Sequence, residues 1–212
     1  MALTSLHCNL NQLTPLDVSQ NTALLHLCCD HNAITELNLE KNENLSILEC
    51  QYTKLTSLDV SNNTNLTILN CNSSLLEEIS LGTHEKLFRI ECMGLEKLLE
   101  LDLSGCPVLK ELSLSGCGFA SLDVSQNTKL EMLGCGSNQL TSLDVSQNTA
   151  LKTLGCQDNR LTSLDVSQNT GLTRLVCGQN PLGFLDVSRN TALNFLHCFE
   201  SRLTSLDLSQ NT

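Results

Sequence analysis

Cysteine and histidine are the residues of this 212-residue chain best suited to nucleophilic or metal chemistry, and it holds 12 cysteines and 5 histidines. Most of the cysteines recur at one repeat position: Cys8, Cys29, Cys50, Cys71, Cys92, Cys135, Cys156, Cys177 and Cys198. Leu114 takes that position once, which indicates that the position requires a buried apolar group. Structural zinc sites need close cysteine pairs, and a disulfide between stacked neighbours would distort the stack. The sequence therefore predicts buried free thiols.

Cys28 differs because it directly precedes Cys29, so strand alternation sends its side chain to the opposite face. We expect it to be an exposed, reactive thiol. Metal-ligand residue types accompany it in the predicted stack: His7, His26, Asp30 and His31. They lie on a flat strand surface without the spacing of a metal site, so the sequence favours a solvated polar face. It predicts neither a metal ion nor a cofactor.

Motifs of enzyme active sites do not occur in the chain. It contains no GxSxG, no HExxH and no phosphate-binding loop. His26 and Cys28 co-occur, but a Cys–His nucleophile needs a cleft and an orienting third group. A flat sheet supplies neither, so the sequence predicts a protein without catalytic residues that is not an enzyme.

A 21-residue repeat positions all of these side chains. Its pattern is LxxLDVSxNTxLxxLxCxxNx, and nine full repeats of 21 or 22 residues cover residues 13–202, with Lys97 as the extra residue. Partial repeats cover 3–12 and 203–212, so 1–212 is interpreted as one array. Each half-repeat alternates as a short strand and ends in an Asn-containing turn, where Asn tolerates left-handed geometry. No half-repeat has room for an ordinary helix, which predicts a β-rich solenoid.

The segment Leu151–Leu161, LKTLGCQDNRL, carries a resemblance to a known family. It fits the LxxLxLxxNxL signature of leucine-rich repeats, and the LTSLDVSxNT half with its repeated Cys resembles the repeats of internalin J-like bacterial surface proteins. The resemblance covers essentially the whole chain. It implies a curved solenoid with LxxLxC strands in a parallel concave sheet and LDVS halves as short strands or turns on the convex side. It also implies an extracellular location at a bacterial surface.

Asparagine and aspartate form further columns, meaning residues at one repeat position. The two Asn columns are interpreted as structural, with Cys106 and Cys117 as substitutes for a turn Asn. Eight acids form one column: Asp17, Asp59, Asp102, Asp123, Asp144, Asp165, Asp186 and Asp207. We expect each carboxylate to accept a backbone N–H in the next turn. A calcium site is not expected, because the glycine-rich calcium repeat is absent.

This aspartate column explains most of the net charge of −11. Without it, 15 acids face 12 bases, so no strong field for cationic partners remains. The acidic balance argues against nucleic acid as a partner. No run of 18 apolar residues occurs and MALTSLHCNL lacks signal-peptide features, so neither membrane insertion nor a signal peptide is expected in this chain.

Partner binding is predicted on the concave face, through the side chains that flank the buried positions of each strand. An apolar patch with a polar rim is expected near the C-terminal end, where the alternative is that it covers a further coil. The candidate residues are Phe195, His197, Phe199, Arg174, Val176, Arg89, Glu91, Met93, Glu49, His26, Cys28 and Asp30.

The predicted function is a non-enzymatic module that binds a protein or a glycan, as a segment of a bacterial surface adhesin. The alternatives are a structural spacer rod and the substrate-recognition arm of a larger effector enzyme. Polar caps are missing at both ends, which predicts end-to-end self-association. The irregular repeats in 76–118 indicate either a functional insertion or sequence drift.

Overall fold

A computed structural model of the chain describes residues 2–212. Within that range every regular element is a strand of three residues, and there is no helix. The strands are β1 (Ser5–His7), β2 (His26–Cys28), β3 (Ile47–Glu49), β4 (Ser57–Asp59), β5 (Ile68–Asn70), β6 (Glu78–Ser80), β7 (Arg89–Glu91), β8 (Glu111–Ser113), β9 (Met132–Gly134), β10 (Thr153–Gly155), β11 (Arg174–Val176) and β12 (Phe195–His197). The predicted β-rich solenoid is confirmed.

One parallel sheet runs the length of the solenoid. Its strand order, over the residues described, is β1-β2-β3-β5-β7-β8-β9-β10-β11-β12. Each strand pairs with the equivalent residues of the next repeat, as Leu6 does with Leu27 and Leu154 with Leu175. The register survives the 22-residue repeat, where Ile90 pairs with Leu112. The register therefore follows the repeat position and not a fixed number of residues.

The opposite, convex side consists mainly of turns. Its strands in the described chain are β4 and β6, which pair in parallel through Leu58 and Ile79. The other convex halves follow the same path as bends and turns without ladder pairing. This agrees with the expected mixture of short strands and turns on that side.

The core between the two sides is a stack of leucine columns. The central residue of almost every concave strand is fully buried, including Leu27, Leu69 and Leu154. The cysteine column is buried beside them, apart from half-buried Cys8 and Cys198 at the ends, and all its members are free thiols. Burying apolar area at about 25 cal/mol per Å² is what holds the coils together. The predicted burial of the cysteine column is confirmed.

Asparagine side chains tie adjacent coils through their backbones. Asn148 donates from Nδ2 to the carbonyl oxygens of Val124 and Asn127, both at 2.9 Å. In the other column Asn159 donates to the Cys135 and Cys156 oxygens at 3.0 Å. These bonds satisfy buried carbonyls that water cannot reach, which confirms a structural role.

The left-handed backbone of the concave-half turns lies one residue before the Asn column. Asp158 and Gln179 have φ of 56°, immediately before Asn159 and Asn180. The predicted Asn-containing turns are present, but the left-handed residue in them is the one before Asn. Asn instead keeps its amide turned into the stack, where it reaches carbonyls of two coils.

The aspartate column caps turns as expected. Asp144 Oδ1 accepts the Ser146 N–H at 2.8 Å, and Asp165 accepts that of Ser167 at 2.8 Å. The same bond recurs at the other six members of the column at 2.9 Å. The column therefore stabilises turns, although its side chains remain exposed to solvent.

Candidate functional site

The concave face changes its chemistry along the solenoid, because the flanking residues of each strand point outward from the leucine column. Its N-terminal end carries polar groups with metal-ligand chemistry, and its middle carries charges. Glycines follow at Gly134, Gly136 and Gly155, and aromatic side chains occupy the C-terminal end. The predicted site residues therefore form three separate groups on one surface.

The C-terminal group, here called the aromatic cluster, consists of Arg174, Val176, Phe195, His197 and Phe199. The Arg174 guanidinium carbon lies 3.7 Å from the Phe195 ring centroid, a cation–π contact. The His197 ring lies 4.7 Å from that of Phe199 and 6.4 Å from that of Phe195. Phe195 and Phe199 remain 40% and 43% exposed. The cluster is a preassembled apolar surface with cationic and imidazole groups on it.

Gly178 allows the aromatic cluster to lie flat on the sheet. A Cβ at this position would come 2.5 Å from Phe199 Cδ1, so the ring occupies the space that any other residue would fill. The Phe199 ring is therefore held against the backbone of the neighbouring coil. This contact restricts the rotation of the ring before any partner binds.

The middle group, here called the charged row, is formed by Arg89, Glu91, Met93 and Glu111. Arg89 bonds to Glu91 within its own strand, from Nε at 2.9 Å and also from Nη2, and lies 3.5 Å from Glu111 on the next strand. Hydrogen bonding to Glu91 raises the pKa of Arg89. Met93 is exposed. One arginine thus pairs with two carboxylates, which leaves the row one negative charge, and Met93 is its exposed apolar residue.

The N-terminal group, here called the N-terminal cluster, brings together His26, Cys28, Asp30 and Glu49. One ligand atom each of Cys28, Asp30 and Glu49 lies within 4.8 Å of the others. Cys28 Sγ donates to Asp30 Oδ2 at 3.5 Å, and His26 Nε2 lies 3.0 Å from Glu49 Oε2. The sequence brought His26, Cys28 and Asp30 into one row but did not join Glu49 to them.

Two expectations about this end were wrong. Cys28 is buried at 6% exposure, although it points to the concave side. Burial, followed by the charge of Asp30, raises the pKa of its thiol to about 12, so it is not a reactive thiolate at neutral pH. His31 is not part of the group, because its ring stacks on that of Tyr52 with the ring centroids 4.3 Å apart. His7 does reach the cluster, with its ring 4.5 Å from that of His26.

Sequence reasoning also missed a ladder of charges on the flank of the concave face. Glu131 lies 3.1 Å from Lys110 and 2.6 Å from Lys152, across three coils. The two ammonium groups lower the pKa of the Glu131 carboxyl, Lys152 most strongly. The signal for this ladder is the 21-residue spacing of the three residues, which places them at one repeat position on adjacent coils.

Catalytic chemistry has little support in this arrangement. The histidine nearest to an outward-facing thiol, His26, is paired with Glu49 rather than with Cys28.

No helix in residues 2–212 is long and apolar enough to cross a membrane. Neither a protein-family profile nor a curated protein sequence matches the chain.

Solved structures do match it. The domain of InlJ from Listeria monocytogenes that includes a cysteine ladder is 34% identical, with a TM-score of 0.73, over 99% of this chain and 47% of that one. A leucine-rich repeat protein of Leptospira interrogans is 23% identical, with a TM-score of 0.73, over 91% of this chain and 54% of that one. The internalin InlF from Listeria monocytogenes is 20% identical, with a TM-score of 0.74, over 99% and 71%. The chain thus spans about half the length of InlJ and of the Leptospira protein. The Leptospira protein and InlF are less than 25% identical to it and show the fold alone.

Proposed function

We propose that this chain, a leucine-rich repeat protein whose 21-residue, cysteine-containing repeats are similar to those of InlJ, binds a protein or glycan partner on its concave face. Leucine-rich repeat proteins suggest an interaction module in general, and the fold is generally non-enzymatic. The observation that carries the concave-face proposal is the aromatic cluster, which exposes two Phe rings already held in place.

The aromatic cluster has the composition of a binding hot spot. Hot spots are enriched in aromatic residues and Arg, placed so that a partner can exclude water from them. Arg174 over Phe195 and Phe199 over Gly178 restrict the motion of both rings before a partner arrives. Because little ordering remains to be done on association, more of the contact energy appears as affinity.

The glycine-rich coils beside the cluster extend the proposed surface. Gly134 has room for a Cβ, since the nearest atoms would be Ser115 Oγ at 3.7 Å and Ser113 Oγ at 3.8 Å. Packing therefore does not require glycine there. The missing side chain leaves the backbone at Gly134 open to close approach by an extended peptide or a sugar chain, whereas the Gln157 side chain covers Gly136.

The likeness to InlJ supports a location outside the cell, as a segment of a bacterial surface adhesin. An exposed partner on another cell would suit a long, shallow binding surface. Because the similarity covers 47% of the InlJ chain, the adhesin role of this chain is proposed from that part of InlJ alone.

Binding to cell surfaces tests the proposal. Fluorescently labelled chain is incubated with a panel of animal cells, bacterial cells and immobilised glycans, and bound label is measured. Phe195→Ala combined with Phe199→Ala should lower binding at least about 10-fold, because hot-spot truncation costs about 2 kcal/mol or more. Phe184→Ala is the matched control, since Phe184 is 66% exposed but lies on the convex half.

Three outcomes separate the candidates. Loss of binding in the double variant but not in Phe184→Ala supports the aromatic cluster. Equal binding by all variants would place the partner elsewhere and overturn the proposed site. A chain that binds nothing across the panel would favour the spacer rod, for which the uninterrupted ten-strand register over residues 2–212 is the supporting observation.

A further inference from the structure

The geometry points to a zinc site in the N-terminal cluster, with Cys28, Asp30 and Glu49 as ligands and His26 as the residue that positions Glu49. The inference is independent of the proposed partner binding. It departs from the expectation of no metal, which rested on a flat strand surface without the spacing of a metal site and did not include Glu49. The structure adds Glu49 from the next coil, and this completes a set of three ligand types within 4.8 Å.

The distances suit a small tetrahedral ion. Zinc bonds of about 2.0–2.3 Å to oxygen and sulfur place neighbouring ligand atoms about 3.5 Å apart. Cys28 Sγ and Asp30 Oδ2 already lie 3.5 Å apart. The Glu49 side chain is 32% exposed and its ligand atom lies within 4.8 Å of the other two, so a side-chain rotation of about an ångström brings it to the spacing that zinc requires.

Asp30 is held in place by a backbone bond that leaves one oxygen facing the thiol. Its Oδ1 accepts the Gln51 N–H at 2.8 Å, and its Oδ2 faces Cys28, with the Gln51 amide 3.4 Å away. Asp30 is 9% exposed and Cys28 is 6% exposed. Two of the three ligands are thus fixed by packing before an ion arrives, as a preorganised site requires.

Within residues 2–212, this combination of three ligand residues occurs once. The equivalent positions one coil further are Glu49, Gln51 and Asn70, and the next are Asn70, Asn72 and Glu91. Asn72 Oδ1 accepts the Met93 N–H at 2.6 Å, as Asp30 Oδ1 accepts that of Gln51. An amide therefore suffices for the structural bond at this position. The carboxylate at Asp30 adds a charge that the fold does not need.

The negative charge of the cluster favours a cation, and the thiol determines which metal ion is favoured. Among the residues described, neither Asp30 nor Glu49 forms an ion pair with lysine or arginine, and the one basic partner is His26. Two carboxylates beside a thiol concentrate negative charge, which favours a cation there. On binding, the Cys28 thiol releases its proton to water and ligates as a thiolate. Thiolate is a soft ligand that favours zinc, whereas calcium and magnesium prefer an all-oxygen set.

His26 acts through Glu49. Its Nε2 lies 3.0 Å from Glu49 Oε2, which orients the carboxylate, as second-layer partners do around metal ions. The His7 ring in turn lies against His26. Three protein ligands leave a fourth zinc position for water or for a donor atom of a bound molecule.

Metal titration of the reduced, chelator-treated chain tests the site. Zinc binding is measured by calorimetry, and cobalt(II) is used as a spectroscopic probe of thiolate coordination. We expect one zinc ion per chain and a cobalt–thiolate charge-transfer band. Asp30→Asn, which keeps the backbone bond, and Cys28→Ser should each lower zinc affinity more than about 100-fold, and His26→Gln by about 10- to 100-fold.

Matched controls make the result specific. Glu91→Gln changes the equivalent side chain two coils away, and Cys198→Ser removes a half-buried thiol at the far end; both should bind zinc as the parent chain does. Circular dichroism checks that each variant is folded. No zinc binding by the parent chain, no thiolate band with cobalt, or unchanged affinity in Asp30→Asn and Cys28→Ser would each overturn the site.

Discussion

The regular coils of residues 119–202 and the irregular coils of residues 76–118 follow the same path with different polar interiors. In the regular coils the convex Asn column is complete, and Asn148 and Asn169 each donate to two carbonyls of preceding coils. In the irregular coils His84 and Cys106 occupy that column. His84 is fully buried, and neither ring nitrogen makes a hydrogen bond of ordinary geometry.

The difference teaches that the apolar columns determine the fold and the Asn columns add stability to it. β7 and β8 pair in register although Leu95 and Cys117 replace Asn in the other column. Cys117 Sγ donates a single bond to the Cys92 oxygen at 3.0 Å, whereas Leu95 has no donor to offer. The irregular coils are therefore stabilised by the same apolar core, with fewer side-chain hydrogen bonds between coils.

The core gives the largest expected effect, and it should be equal in the two regions. Leu154→Glu and Ile90→Glu each place a carboxylate at a position with no exposure. Burying an unpaired charge should cost more than about 4 kcal/mol and disrupt the array around either site. Urea unfolding followed by circular dichroism measures this. A much smaller loss for Ile90→Glu would show that the two cores differ.

The same substitution in the Asn column should separate the regions. Asn148→Leu removes two hydrogen bonds to buried carbonyls and should cost about 2 kcal/mol, at about 1 kcal/mol for each bond. His84→Leu removes a ring without a partner and should be neutral or stabilising. Both variants are compared by urea unfolding. Equal losses at the two positions would contradict the view that His84 makes no stabilising hydrogen bonds in the Asn column.

Much of this organisation could be predicted from the sequence because a repeat reports one environment many times. Leu114 in the cysteine column showed what that position requires, and Ser after each Asp indicated the cap seen at Asp144. Repetition also fixed the inward and outward positions of every strand. It could not predict the left-handed residue before Asn159, since residues as different as Asp158 and Gln179 take that geometry.

The candidate site was predicted in outline but not in its contacts. The concave surface and the aromatic cluster follow from strand alternation. The burial of Cys28 does not, because it depends on side chains of the neighbouring coils and not on its own row. The contact of Glu49 with the Cys28 row was missed for the same reason, although the 21-residue spacing between Cys28 and Glu49 records their adjacency.

Restoring the missing Asn should give a smaller, opposite effect that depends on pH. His84→Asn should stabilise the chain by about 1 kcal/mol, because the new amide can donate to the carbonyls of Val60 and Asn63, as Asn148 does to those of Val124 and Asn127. Burial lowers the pKa of His84 more than the nearby Leu81 and Val60 oxygens raise it. The unfolded chain then binds more protons, so the parent loses stability as pH falls below about 6.5. Urea unfolding at pH 7.5 and pH 5.5 should show a larger gain at pH 5.5, and an equal gain would contradict it.

The aspartate column should give the smallest effect, in a different pH window and in different coils. Hydrogen bonding to Ser146 lowers the pKa of Asp144, so its contribution is present above the ordinary carboxyl pKa of about 4 and is lost as pH falls further. Asp144→Asn keeps an acceptor, as Asn38 does for the Glu40 N–H at 3.0 Å, and should leave stability at pH 7 unchanged. Ser80 takes the Asp position in the coil of residues 76–97, whereas Asp102 keeps the cap in the next coil. The acid loss below about pH 4 is therefore expected in coils that carry an Asp, whereas the loss near pH 6 belongs to the coil of His84. Hydrogen exchange followed by mass spectrometry assigns each loss to its peptides. If one pH window opened both regions together, the solenoid would respond as a single cooperative unit and the contrast between its coils would have no energetic consequence.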